Sequence, residues 1–550
     1  MTLHPDNHGQ IPAETVKVAK AAFPKGNAYM RLRDELHIIY TDETFADLFP
    51  VRGQPAESPG RLALVTVLQF AEGLSDRQAA DAVRSRIDWK YLLGLELSDA
   101  GFDYSVLSEF RNRLLEHSAE ERLLDKLVEL LKAHKLIKER GSQRTDSTHI
   151  CSAARKLNRL EKVGETLRAA LNSLAGVAPD WLRERAPLEW YERYGNRVEA
   201  YRLPKKEPEW EAHALQVGED GYQLLGWAYE ADSPQVVRDH PAVEVLRRVW
   251  VQEYYRVDDH IDWRKPDNAP HGEQRIQSPY DSEARYGKKR EMDWVGYKAH
   301  FTETCDPDHP HLIIHVETTP APRADSTILP AIHQALADKQ TLPGEHLLDS
   351  GYINAGDLVE SRERHGIRLI GHPIPDSSWQ ARANQGFEHA EFTVDWGKQV
   401  VTCPANHQSH SWRPGKDRHA IPVVHVQFRD EDCKTCPSRQ NCTRNQKGGR
   451  GIQFRTQAEY EALQQLRQDV HTEEFKQKYN QRAGIEGTIS QGVRRCDMRR
   501  TRYIGQAKTH LQNLAIGAAM NLARLFAWLC EIPLAQTRTP AFSSLVVPAS

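Results

Sequence analysis

The chain has 550 residues, 39% of them apolar and 27% charged, with a formal net charge of −3. That length exceeds what one hydrophobic core accommodates, so roughly two to four domains are expected. Eight cysteines over this length exclude a disulfide scaffold, and no apolar run reaches the ~18 residues that span a bilayer.

Residues 1–35 show no sustained periodicity and read as a flexible arm. The opening, MTLHPDNHGQ, lacks the basic-then-apolar pattern of a secretory signal, so a cytoplasmic location is expected. Residues 36–135 read as an all-helical domain. Gly73 ends one helix there. Ser75, with Gln78 three residues on, forms a capping box that starts the next. A further start falls at Asp103 or Ser105. Short helices joined by tight turns, with Arg84, Arg86, Arg111 and Arg113 expected on the surface, resemble helix-turn-helix DNA binders. A small helical bundle without nucleic acid shares that pattern.

Residues 140–375 read as the first part of an α/β core. RTDSTHI opens a strand at 144–151, and 155–280 is a helical insertion. Strands are expected at 292–304 and 311–320, a helix at 325–339 and a strand with a turn at 345–353. A helix at 354–366 and a strand at 367–372 complete the layer. Residues 376–455 form a Cys-bearing insertion. Residues 456–535 return to helices, and 536–550 read as a disordered tail. The apolar stretch 511–530 carries Gln512, Asn513, Asn521 and Arg524 at helical spacing, so it reads as a buried helix.

Two acids stand where acids are costly. Asp146 lies inside an otherwise strand-like run, and Asp349 ends the apolar strand of HLLDSGY. Ligands gather at the carboxyl ends of strands in open α/β sheets, so these two carboxylates are expected to converge. Converging carboxylates repel unless a cation joins them, and Mg²⁺ takes such oxygen ligands together with phosphate. A third acid is offered by KYNQRAGIEGTISQGVRR, where Tyr479, Arg482 and Glu486 fall three and four apart on one helix face. Gly484 and Gly487 flank Glu486; glycine is poor for a helix but permits close approach of another backbone. A single strand-end Asp is more often a turn or cap residue, and Tyr479 could equally be core.

Charge is unevenly placed. Residues 476–508 sum to +7 and the remainder to −10. A local basic block in a near-neutral protein suits a bound polyanion, although a solvated helix face gives the same composition.

TDSTHI, LLDSGY and the Y-x2-R-x3-E spacing resemble the DDE transposases of bacterial insertion sequences, most closely the group numbered 1182. The resemblance extends over roughly 35–530, through FADLFPVRGQPAESPGRLALVTVLQF, YGKKREMDWVGYKAHFTETC and RRTRYIGQAKTHLQNLAIGAAMN. It implies a multidomain α/β fold: a ribonuclease-H-like catalytic core with a helical and a Cys-bearing insertion, preceded by an all-α domain. It implies Asp146, Asp349 and Glu486 as catalytic residues holding two Mg²⁺ (or Mn²⁺) ions. It implies double-stranded DNA as partner, at terminal inverted repeats and at a target, with cleavage and strand transfer by a homodimer in the synaptic complex. A cytoplasmic, nucleoid-associated protein with no membrane partner follows. Tyr479, Arg482, Arg494, Arg495, Arg499, Arg500, Arg502 and Lys298 are the expected DNA contacts. Lys298 could also be a core-facing stem, and His149 could reach the site or simply be packed. One departure is Val493, seven residues after Glu486, where the family signature has Lys. The alternatives to an active transposase are a domesticated, inactive DNA-binding protein and a metal-dependent nuclease that cuts without joining.

Cys403, Cys433, Cys436 and Cys442 form C-x29-C-x2-C-x5-C. The central C-x2-C suits a zinc knuckle and four thiolates suit a tetrahedral structural Zn²⁺, with His407 or His410 as substitute ligands. Buried or free thiols are the alternative.

Overall fold

The computed structural model describes residues 2–3, 9–50, 52–258, 260–533 and 542. The chain is a mixed α/β protein with a helical N-terminal region, divided into two units. Unit 1 comprises Met1–Lys138, Ser147–Arg323 and Thr488–Ser550, and unit 2 comprises Glu139–Asp146 and Ala324–Gly487.

Unit 1 begins with helices where a loose arm is expected: α1 (Ala13–Ala22) and α2 (Ala28–Leu36). The expectation of a flexible arm is corrected for residues 13–35. Asn27 caps α2 by accepting from the Met30 N–H, and Met30, Leu32 and Leu36 are buried. The helices are too short for their apolar period to stand out in sequence. Next come α3 (Pro59–Ala71), α4 (Asp76–Ser85), α5 (Ile87–Leu93), α6 (Ser105–Glu116) and α7 (Arg122–Ala133). Gly73 ends the turn before α4 with φ +69°, and the Ser75–Gln78 capping box is formed. The surface arginines expected here are mostly spoken for. Arg86 pairs with Glu72 and Asp88, buried Arg111 reaches Asp76 at 2.5 Å, and Arg113 donates to the Leu48 carbonyl at 2.9 Å. Arg84, paired with Asp81, stays exposed.

Strand β1 (Ser142–Cys151) belongs to unit 2 through Asp146 and to unit 1 from Ser147. Helices α8 (Arg159–Val177), α9 (Pro179–Arg185), α10 (Leu188–Tyr194), α11 (Glu207–Ala228), α12 (Gln235–Arg238) and α13 (Pro241–Glu253) follow in unit 1. They share an aromatic core that includes Trp181, Trp190, Trp250 and Tyr254. Gly221 on α11 admits the Trp250 ring, because a Cβ there would lie 2.0 Å from it. The hairpin β2 (Tyr254–Val257) and β3 (His260–Trp263) closes this block. Then β4 (Arg285–Lys289), β5 (Met292–Thr304) and β6 (Ile313–Pro320) pair antiparallel in sequence order, and the unit 1 part of β1 neighbours β5.

Unit 2 continues with α14 (Leu329–Asp338), β7 (Glu345–Leu348), α15 (Ala355–His365) and β8 (Arg368–Ile370). Strands β1, β7 and β8 run parallel, with Ser142 to Thr145 in register with Glu345 to Leu348. A smaller module then carries α16 (Trp379–Ala383), β9 (Thr393–Asp395), β10 (Val400–Thr402), β11 (Ser411–Lys416), β12 (Pro422–Gln427), α17 (Asp430–Thr435), α18 (Arg439–Cys442) and β13 (Gly451–Phe454). Its strands form a two-stranded and a three-stranded sheet around Phe392, Phe428 and Phe454. Helices α19 (Gln457–Asp469) and α20 (Glu473–Asn480) lead to α21 (Gly484–Cys496), which passes from unit 2 into unit 1 after Gly487.

The last helix, α22 (Gln506–Leu529), lies in unit 1. Of its polar residues, Gln512, Asn513 and Asn521 are buried and Arg524 is half-buried. Asn521 accepts from Ile313 N–H and donates to Ile313 C=O, both at 2.7 Å, so it satisfies both backbone groups of one β6 residue. Arg524 pairs at 2.5 Å with the fully buried Glu303. These partners explain how a run this apolar carries polar groups inside a protein core. No helix among the described residues is long and apolar enough to cross a membrane. The tail expected at 536–550 lies outside the described residues save for Phe542.

Candidate active site

Unit 2 brings Asp146, Asp349, Glu486, Arg482 and Tyr479 into one neighbourhood. The placement starts with strand register. Thr145 and Leu348 are the last registered pair of β1 and β7, so Asp146, still within β1, and Asp349, just past the end of β7, both follow it. Neighbouring strands lie about 4.8 Å apart, which sets these two acids side by side. Asp349 is turned by its own backbone, accepting from the Ser350 N–H at 2.7 Å as the cap of a short 3₁₀ turn.

Glu486 sits in the first turn of α21. The 3₁₀ turn Gln481–Ala483 just before it is fixed from below by Arg144, whose guanidinium donates to the Gln481 carbonyl. Arg144 is 4% exposed, two residues before Asp146 and therefore on the same face of β1. Gly484 makes this possible, because a Cβ there would lie 2.1 Å from Arg144 Nη1. The backbone approach expected at Gly484 and Gly487 is corrected: at Gly484 the neighbour is the Arg144 side chain, and a Cβ at Gly487 would meet nothing within 4 Å. Arg144 was not singled out by sequence, where nothing marks an Arg two residues upstream of an acid as a strut.

Arg482 is the hinge of the charge arrangement. Its Nη1 lies 3.4 Å from Asp146 Oδ2 and its Nη2 lies 3.5 Å from Glu486 Oε1. Arg482 and Asp146 are 15% and 16% exposed, whereas Glu486 is 68% exposed. Burial works to lower the Arg482 pKa, but Tyr479, Asp146, Asp349 and Glu486 act together to raise it above the ordinary value. All three acids therefore lie within the field of one guanidinium. Tyr479 stacks on Phe475 with ring planes 11° apart, meets His372 edge-on at 4.5 Å, and lies beneath Arg482 at 5.7 Å. It is packed and at the same time touches the site cation.

A buried histidine chain backs β1 and β7. Thr145 Oγ1 bonds His346 Nε2 at 2.7 Å, His346 Nδ1 bonds His333 Nε2 at 2.9 Å, and His333 Nδ1 reaches Ser361 Oγ at 3.3 Å. Burial, with His365 adding, pushes the His333 pKa down to about 4, and burial, with His333 adding, lowers that of His346 well below its usual value.

The other expected DNA contacts lie in unit 1. Arg494, Arg495, Arg499, Arg500 and Arg502 are exposed. Some also serve structure: Arg499 Nε donates to Thr148 Oγ1 at 3.3 Å, Arg500 bridges Cys151, and Arg502 donates to the Leu74 carbonyl at 2.6 Å over the Phe70 ring. Arg495 Nε reaches the Ala71 carbonyl at 3.5 Å. Lys298 is half-buried on β5 and donates to the Arg323 carbonyl. His149 is packed against Trp294, and burial lowers its pKa. Val493 lies on α21, one residue before Arg494.

Cys403, Cys433, Cys436 and Cys442 line one cavity of about 20 Å³ in unit 2, together with His407. All four are free thiols. Burial pushes Cys442 up to about 11; Arg450 opposes this, while Cys433, Cys403 and Cys436 add to it. His410 is elsewhere, with its N–H donating to the Gln427 carbonyl at 3.0 Å. Among the described residues, no group of three or more His, Cys, Asp or Glu side chains is placed so that it could hold a metal ion.

Two family matches cover parts of the chain. Residues 402–526 match a family described as a transposase DDE domain, a segment that includes Glu486 but neither Asp146 nor Asp349. Residues 17–113, which cover the first helices of unit 1, match a family described as a transposase domain. Comparison with curated proteins gives no match. The two family matches support an insertion-sequence transposase.

Proposed function

We propose that the protein is the DNA transposase of an insertion sequence, acting on terminal inverted repeats by metal-dependent cleavage and strand transfer. The observation that carries this is the meeting of Asp146, Asp349 and Glu486 around Arg482, reached from two parallel strands and a distant helix. Strand β1, parallel to β7 in one half and beside the antiparallel pair β5–β6 in the other, supports a ribonuclease-H-like core. Within that family reading, the Y-R-E spacing supports the group numbered 1182.

The donor set fits a hard divalent cation. All three groups offer oxygen, and together they already draw one cationic side chain. Asp146, Asp349 and Glu486 would hold Mg²⁺ or Mn²⁺. When bound, two such ions supply activation of an attacking oxygen and stabilisation of a leaving one. Arg482, at the same carboxylates, is placed to accept a phosphate as its second partner, and its planar fork suits that geometry. Tyr479 holds the Arg482 plane from below. The exposed Arg494, Arg499 and Arg500 grip flanking duplex through phosphates, a contribution that weakens as salt rises. The acting form is a homodimer on paired DNA ends.

The test is incubation of the full chain with labelled terminal-repeat DNA, a target plasmid and Mg²⁺. Joined products support the transposase. Cuts without joining indicate a nuclease, and shifts without cuts indicate an inactive DNA-binding protein.

A further inference from the structure

The Cys-bearing module has a small core for the number of strands it carries. Its fully buried apolar side chains are few, and Cys403, Cys433 and Cys442 pack against their edge. Modules of this size are commonly secured by disulfides or a structural metal. The four thiols here are unpaired, which leaves the second device.

Their placement is specific. Cys403 follows the end of β10, Cys433 lies on α17, Cys436 caps that helix, and Cys442 ends α18. Three separate backbone segments thus deliver four sulfurs to one cavity. Two of these sulfurs accept backbone hydrogen bonds, Cys403 from His407 N–H at 3.3 Å and Cys433 from Arg450 N–H at 3.4 Å. Backbone N–H groups aimed at the sulfurs are outer-shell contacts of the kind that orient metal ligands. Gln380 donates to the Cys442 carbonyl at 2.9 Å, tying α16 to the same point.

We propose that Cys403, Cys433, Cys436 and Cys442 form a tetrahedral structural site for one zinc-class ion that staples the small sheets of residues 376–455. Binding requires the four side chains to draw in to metal–sulfur distances of about 2.3 Å. Four thiolates fill the coordination shell, so the ion has no open position and no part in the phosphoryl chemistry. His407 lines the cavity but stays outside the shell, its imidazole facing Asp432 at 3.9 Å.

The test uses the full chain, purified under a phosphine reductant and without chelator, and reads elemental zinc together with Co²⁺ absorption. About one zinc per chain is expected, and Co²⁺ should give intense sulfur-to-metal charge-transfer bands with the d–d pattern of a tetrahedral site. Cys436→Ser should lose the zinc, and His407→Ala should retain it. If the Cys436→Ser chain does not fold, the Co²⁺ spectrum of the wild type decides. Wild-type protein without zinc, with no charge-transfer bands on Co²⁺ addition and with all four thiols open to modification, overturns the site. Loss of zinc in His407→Ala overturns the four-thiolate shell. None of these readouts depends on DNA cleavage.

Discussion

Arg482 lies between Asp146 and Glu486, 3.4 Å from one carboxylate and 3.5 Å from the other. It joins an acid from a strand to an acid from a helix 340 residues later in the chain. A guanidinium in this position offsets carboxylate repulsion and stays charged at any working pH.

Replacing Arg482 should therefore damage catalysis more than folding. Arg482→Ala is expected to lower cleavage of labelled end DNA by about 10²-fold or more, the usual loss when a donor aimed at developing charge is removed. Arg482→Lys keeps the charge but loses the fork, and should recover only part of the rate. Equal rates in wild type and Arg482→Ala would remove this residue from the site.

Each acid should be needed for chemistry and dispensable for end binding. Asp146→Ala, Asp349→Ala and Glu486→Ala are expected to abolish cleavage while gel shifts with terminal-repeat DNA persist. Glu486 is mostly exposed, so Glu486→Gln should change stability by no more than about 0.5 kcal/mol. Wild-type cleavage in any of the three alanine variants would exclude that position.

Gly484 and Arg144 should behave as a coupled pair. A Cβ at 484 would meet Arg144 Nη1, so Gly484→Ala is expected to cost about 1–3 kcal/mol in urea unfolding. In an Arg144→Ala background the same change should cost much less. The double-mutant cycle measures that difference, and additive effects would contradict the contact.

The histidine chain predicts a pH dependence with a definite sign. His333 titrates near 4 in the folded chain against an ordinary value of 6.5. Between those values the unfolded chain takes up a proton that the folded chain refuses. The contribution is complete above about 6.5 and is lost as pH falls toward 4, at most about 3 kcal/mol for this group. Urea midpoints measured across that window should fall with pH, and His333→Gln should flatten the slope. A flat wild-type profile would mean that the chain is not buried neutral.

What the sequence made readable was local. An acid inside a strand-like run marked Asp146, a Ser-Gly turn after apolar residues marked Asp349, and helical spacing linked Tyr479, Arg482 and Glu486, although the single helix expected there is divided into α20, the 3₁₀ turn Gln481–Ala483 and α21. The capping box at Ser75 and the buried character of the last helix came from the same short-range signals. What stayed hidden depends on pairing across distance. Arg144 becomes a strut only because a turn 337 residues away offers its carbonyl. His346 and His333 look like ordinary strand and helix residues until the fold stacks them. Arg86, Arg111 and Arg113 read as surface charge because their carboxylate and carbonyl partners lie on other helices. Helices α1 and α2 are short, and a cap at Asn27 with packing, more than periodicity, holds the second of them.

The most direct test of the central claim is the position of Mn²⁺ in a crystal of the full chain with terminal-repeat DNA, read from anomalous scattering. The account predicts manganese peaks bound by carboxylate oxygens of Asp146, Asp349 and Glu486, with the Arg482 guanidinium turned to a DNA phosphate. Manganese bound elsewhere, with Arg482 still paired to Asp146 and Glu486 beside intact DNA, would contradict it.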